Sequence, residues 1–481
     1  MSSSLKDKTV KGVFWSSLDR FSTQGIQFVF GILIARLLLP SDFGVIAMLN
    51  IFMAVAGTFI DSGFSSALVR KLDRTQTDYS TVFYFNIAVA CLAYAGLWLA
   101  APYIAVFYNI PLLESVTKVV GLNLIIGAFS GIQNAILTIE IDFKLRAKIS
   151  VFTCVVTGIV GLWMAYTGYG VWALVFQALS GSLLRTVMLW IFVKWHPSLV
   201  FSWKSFKELF SFGSKMLASG LLDTTYNNIY TIVIGKCFAS GSLGLYSRAD
   251  SLAQYPSSNI TSVLQSVTFP VLSTIQNERE RLADAYKRFL RMSAFIIFPL
   301  MVGLAVVADP FIRIVLTDKW EGAIYLLQII CFSMMWYPIH SINLNLLMVK
   351  GRSDYFLKLE IYKKILGVAI LCVTIPLGLV AMCYGRVFSS VVCLGLNTYY
   401  TNKLIGYGFW KQIKDLYPIL MQSLIMGILV FFVVNQLSSL GAQLFFGIVV
   451  GAIYYILSSY FLKFKELQDI VDIISRKKNK K

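Results

Sequence analysis

Residues 12–37 read GVFWSSLDRFSTQGIQFVFGILIARL. Ser16, Arg20, Thr23, Gln24 and Gln27 recur every three or four residues and so share one face of a helix, with Asp19 beside it. The remainder is apolar and long enough to cross the hydrocarbon of a bilayer. A charged side chain at the bilayer centre costs about 2.5–3.5 kcal/mol on insertion scales. The stripe therefore faces a wet cavity or a protein interior, not lipid.

The composition of the whole chain agrees. Of its 481 residues, 57% are hydrophobic and 14% charged, with a mean hydropathy of +0.72; soluble domains carry about 25% charged residues. Long apolar runs exclude a β-barrel, whose strands alternate over about ten residues. The net charge of +18 does not indicate nucleic acid, because the basic residues sit in short connections between apolar spans, where they orient the chain. The seven cysteines, mostly within apolar spans, lack metal-ligand spacing and read as small hydrophobes. The basic start, MSSSLKDKTVK, is not followed by a cleavable signal and is expected to precede an uncleaved first span.

About fourteen spans follow from lengths that match ~30 Å of hydrocarbon: 12–37, 43–68, 79–106, 116–140, 150–167, 170–194, 211–238, 243–272, 289–308, 324–348, 357–379, 381–403, 416–437 and 440–462. Short turns join spans five and six, and eleven and twelve, so twelve or thirteen spans stays open. Alternate loops are basic (Lys6, Lys8 and Lys11; Lys144, Arg146 and Lys148; Lys350 and Arg352; the tail RKKNKK), whereas the opposite loops hold only a few cations. Both termini are accordingly expected in the cytoplasm. The stretch 274–291 reads as a charged helix with a solvated face.

The first pattern recurs. ILIARLLLPSDFG ends at Gly44 and IVIGKCFASGSLG at Gly244. Each lies between a long striped span and a second one. Span two carries Asn50, Thr58, Asp61 and Ser65; span seven carries Lys215, Ser219, Asp223, Asn227 and Thr231; span eight carries Arg248, Ser251, Gln254, Ser258 and Gln265. Six spans per half gives parallel repeats. The expected architecture is an all-α polytopic membrane protein. It has two pseudo-symmetric six-helix lobes (1–200 and 201–410) around a central hydrophilic cavity, with a terminal helix pair and basic tail (411–481). Gly25, Gly31 and Gly220 are expected to permit close helix contact.

The strings ARLLLPSDFG (35–44), LGLYSRADSLAQYP (243–256), DPFIRIVLTDKWEGA (309–323) and LMVKGRSDYF (347–356) make the chain resemble the polysaccharide-transporter branch of the multidrug/oligosaccharidyl-lipid/polysaccharide exporter superfamily, the O-antigen flippases and their relatives. The resemblance covers essentially the whole chain. It implies two lobes forming a V, a terminal pair whose groove holds a lipid tail, and a substrate of undecaprenyl-pyrophosphate-linked oligosaccharide moved to the outer leaflet of the bacterial cytoplasmic membrane. A monomer is expected, with polymerase or chain-length machinery as candidate partners.

The residues suit that cargo. Diphosphate calls for cations, and Arg20, Lys215 and Arg248 lie on cavity-forming spans. Sugar hydroxyls call for neutral donors and acceptors, which Gln24, Gln27, Asn227 and Gln254 offer. Asp61 and Asp223 are candidates for proton or sodium coupling, or for plain helix contacts. Arg20 has the alternative of pairing with Asp19 or Asp223. His340 reads as a hydrogen-bonded lumen residue, with a proton switch as the alternative, and Arg185 and Arg386 have no assigned role. Catalytic residues, bound metal and organic cofactor are not expected, since phosphate-cradling loops, nucleophile elbows and ligand clusters are missing from the sequence. A cation-coupled drug antiporter and a membrane polymerase or ligase are the alternatives.

Overall fold

The computed structural model describes residues 2–61, 64–71 and 73–478, apart from the side chains of 2–14, 65, 66, 211, 212, 215, 216 and 473–478. Among the described residues there are helices and no strands. The chain begins with α1 (Ser2–Leu37), α2 (Pro40–Asp61), α3 (Phe64–Arg70), α4 (Gln76–Tyr108), α5 (Leu112–Ala128), α6 (Gly131–Ile139), α7 (Phe143–Tyr166), α8 (Val171–Phe192), α9 (Trp203–Asn227), α10 (Ile229–Cys237) and α11 (Ser240–Thr274). It continues with α12 (Arg279–Val306), α13 (Ala308–Leu316), α14 (Gly322–Met334), α15 (Tyr337–Val349), α16 (Ser353–Thr374), α17 (Leu379–Ile405), α18 (Phe409–Asn435), α19 (Leu440–Phe461) and α20 (Lys465–Lys478).

Each predicted span coincides with one helix or with a broken pair. Among the described residues nine spans are long and apolar enough to cross a membrane, and α5 with α6, bent by 43°, would be a tenth. Predicted spans 12–37, 211–238, 243–272 and 357–379 fall on α1, α9 with α10, α11 and α16. Their polar and charged residues lower their hydropathy below that of the apolar set. Leu92 and Leu99 on α4 and Phe431 and Phe432 on α18 point outward, as a lipid-facing surface requires.

The chain forms two compact units, Met1–Gly244 and Leu245–Lys481. This division differs from the repeat boundaries at 200 and 410. In the first unit α9 and α10 pack on α2, and α9 also on α3, so packing joins them to the first half although duplication assigns them to the second. The core of the first unit gathers Phe64, Leu68, Phe83, Ile132 and Leu189. A smaller cluster, Ile34, Leu38, Met164 and Ala173, ties α1 to α7 and α8.

Close approaches decide how the helices pack. Gly158 on α7 faces α1, where a Cβ would lie 2.3 Å from the Phe30 ring. On Gly220 it would lie 3.0 Å from Thr58 Cγ2, whereas the space before Gly25 is open; the expected contact at Gly25 is absent. In the second unit the charged start of α12 keeps a solvated face, with Arg279, Glu280, Arg281 and Asp284 exposed, and its other side docks on neighbouring helices. Arg288 donates to Asp469 on α20 at 2.6 Å, Arg291 pairs with Glu466, and Lys287 lies 2.8 Å from Asp415 on α18.

Candidate functional site

In the first unit the polar face of α1 divides between two surroundings. Within α1 the Thr23 hydroxyl donates back to the Asp19 carbonyl one turn earlier, at 2.6 Å. Asp19, Thr23 and Gln27 turn toward α7 and α8, where they line a cavity of 710 Å³ with Arg146, Thr153 and Arg185. Arg20 is exposed and Gln24 half-buried, and neither lines this cavity. Asp19 Oδ2 lies 3.9 Å from Arg146 Nε. Arg185 donates to Asn134 Oδ1 at 2.9 Å.

The second striped contact joins α2 and α9. The hydroxyls of Thr58 and Thr224 share a hydrogen bond at 3.1 Å, which satisfies two polar groups that would otherwise be costly among apolar helices. Asp61, Asp223 and Asn227 on the same two helices are exposed. The Lys215 side chain lies outside the described residues.

In the second unit Gln254 is exposed and Arg248 half-buried. The Arg248 guanidinium carbon stands 6.0 Å from the ring centroid of Trp320, whose side chain is fully buried, at the limit of a cation–π contact. Arg386, which had no assigned role, bridges α17 to α11. It donates to Asp250 Oδ1 at 2.6 Å and to the Tyr246 hydroxyl at 2.9 Å. The sequence held a signal for it, because Tyr246 and Asp250 stand four apart on one helix face. His340 is held as expected, with Ser390 3.0 Å from Nε2 and Asn397 3.1 Å from Nδ1.

Sequence reasoning missed a buried network in the same unit. The Tyr286 hydroxyl donates to Asn343 Oδ1 at 2.7 Å, and Gln412 donates to Thr401 at 3.1 Å and to Tyr286 at 3.2 Å. Its members come from α12, α15, α17 and α18, so no helical period links them. Among the described residues no group of three or more His, Cys, Asp or Glu is placed to hold a metal ion.

Residues 33–325 match the family model described as polysaccharide biosynthesis protein. The chain belongs to this family. Among its relatives, the teichuronic acid biosynthesis protein TuaB of Bacillus subtilis is 26% identical over 73% of this chain and 73% of that protein. The lipopolysaccharide biosynthesis protein WzxC of Escherichia coli is 24% identical, covering 76% of this chain and 74% of WzxC. The fold matches that of the lipid II flippase MurJ in its inward closed conformation, with a TM-score of 0.78, 15% identity, and 94% of this chain and 99% of MurJ covered. An inward-facing multidrug resistance MATE family transporter of the MOP superfamily gives 0.61 at 16% identity, over 82% of this chain and 95% of that one. The family member thus shares the MurJ fold along nearly its full length.

Proposed function

We propose that this chain is a flippase that moves undecaprenyl-pyrophosphate-linked oligosaccharide from the inner to the outer leaflet of the bacterial cytoplasmic membrane by alternating access. The observation that carries the reading is the set of polar stripes on α1, α2 and α9 and on α11, in a chain whose fold matches that of a lipid II flippase. An apolar bundle needs no such stripes, whereas a headgroup of sugars and phosphates crossing ~30 Å of hydrocarbon does. Relatives named for teichuronic acid and lipopolysaccharide biosynthesis support the same class of cargo.

In this reading Arg20, Lys215 and Arg248 hold the diphosphate, as charge-assisted donors to phosphate oxygens. Gln24, Gln27, Asn227 and Gln254 meet sugar hydroxyls, and Asp61 and Asp223 couple transport to protons or sodium. Both termini lie in the cytoplasm, and the chain works as a monomer that hands its product to polymerase or chain-length machinery. No chemical bond is made or broken, which distinguishes it from a polymerase or ligase.

Cells that lack the protein should accumulate lipid-linked oligosaccharide on the inner leaflet and lose surface polysaccharide, and the intact gene should restore both. Unchanged leaflet distribution in the deleted strain would refute the proposal.

A further inference from the structure

The cavity between α1, α7 and α8 lies wholly inside the first compact unit, and none of the residues proposed to hold the diphosphate lines it. Its charges do not balance. Arg146 and Arg185 face one carboxylate, Asp19, and Arg185 lies within electrostatic reach of both other groups. Three of its lining side chains keep a buried polar atom with no hydrogen-bond partner among the described residues: Asp19 Oδ1, Arg146 Nε and Thr153 Oγ1. Arg146 and Asp19 stand 3.9 Å apart, too far for the hydrogen bond that would satisfy them. Buried polar groups left unmet are costly, so they mark a place where a polar ligand would bind favourably.

We propose that this cavity is a separate anion site, taking one carboxylate or phosphate carried on a hydroxylated ring. Two guanidinium groups against one carboxylate leave a net positive interior, which repels a coupling cation and draws in an oxyanion. Gln27 and Gln177 on the walls offer both donors and acceptors to ring hydroxyls. A volume of 710 Å³ falls within the ~300–1,000 Å³ of small-molecule sites. The choice of a sugar ring rests on the flippase reading; the existence of the anion site does not. Two sources share this chemistry, an acidic sugar of the oligosaccharide and the phosphate of its lipid carrier. Arg146 and Arg185 are then positioning and binding residues, with Asp19 as the counter-charge that keeps binding weak enough to release.

The test measures binding of sodium glucuronate, inorganic pyrophosphate and neutral glucose to the purified full chain in detergent, by calorimetry at low salt. Anion binding without glucose binding is expected. Arg185→Gln should weaken it by about tenfold or more, and Asp19→Asn should tighten it by a similar factor, as expected for one charge at close range. Arg281→Gln, on an exposed surface, should change nothing. A response of glucuronate alone assigns the site to an acidic sugar, a response of pyrophosphate alone to the carrier, and a response of both to the oxyanion itself. The tightening by Asp19→Asn is a gain that a merely structural role would not produce, and it remains informative if Arg185→Gln fails to fold. Binding of both anions unchanged in Arg185→Gln and Asp19→Asn, or glucose binding as tightly as either anion, would overturn the proposal. The leaflet assay in cells tests the flippase reading separately, since this measurement requires no transport.

Discussion

Gly44 and Gly244 meet at the crossing of two helix starts. A Cβ on Gly44 would lie 1.8 Å from the Ser240 carbonyl oxygen, and a Cβ on Gly244 would lie 1.8 Å from that of Pro40. The contact is reciprocal because the two glycines hold equivalent places in the repeat, each four residues into its helix. Backbone meets backbone there, and no rotamer change can relieve an added methyl group.

Gly44→Ala should therefore force α2 and the start of α11 apart, at about 1–3 kcal/mol or more, as for other overpacked sites. The double variant with Gly244→Ala should cost less than the sum of the two, since both act on one contact. Thermal unfolding in detergent measures this. Gly25→Ala, with open space before it, is the control and should be neutral within ~0.5 kcal/mol.

Lys71 joins the connection after α3 to α9 and to the start of α4. Its ammonium lies 3.1 Å from Glu208 and 3.2 Å from Asp78, and Asp78 is 1% exposed. Lys71→Ala leaves that buried carboxylate without its cation, held by the Thr75 N–H and hydroxyl, and should cost about 1–3 kcal/mol. Glu208→Ala, which removes a half-exposed partner, should cost under ~1 kcal/mol. Burial lowers the Lys71 pKa, but hydrogen bonds to Glu208 and Asp78 outweigh it and hold the pKa above its ordinary value. The contribution is thus complete below the ordinary lysine range, about 10.4, and is lost as pH rises through the higher folded value. Stability at neutral and mildly alkaline pH should not respond to this group.

Arg386 and Asp250 form a partly buried ion pair between α17 and α11. Arg386→Leu removes hydrogen bonds to a carboxylate and a phenol and should cost about 1.5–3 kcal/mol. Adding Asp250→Asn should recover part of the loss, because the charge that lost its guanidinium is then gone. Unfolding curves of the two variants and their combination give the coupling energy.

Arg20→Ala should abolish surface polysaccharide in cells while protein level and melting temperature stay near wild type, because Arg20 is exposed. Full export by the Ala variant would remove Arg20 from the diphosphate site. Arg20→Lys, which keeps the charge but not the planar fork, should restore export only in part.

Much of the fold was legible because each span repeats one local rule. Apolar length, loop charge and the recurring turn before Gly44 and Gly244 are properties of consecutive residues. For the site, the stripe on α1 was legible, but its division was not. Asp19 and Gln27 meet Arg146 and Arg185 from helices more than one hundred residues away in the sequence. Gln412 meets Tyr286, Asn343 and Thr401 in the same nonlocal way.

The sequence by itself determined that the chain enters a membrane as a duplicated set of helices with polar faces, since helical period and the cost of charge in lipid act within one segment. Only the tertiary structure decided which polar groups share a cavity, which cation each carboxylate faces and where backbones touch at Gly44 and Gly244. Those outcomes depend on the packing of separate helices, whose contacts are set by the shape of whole faces and not by the order of residues along any one of them.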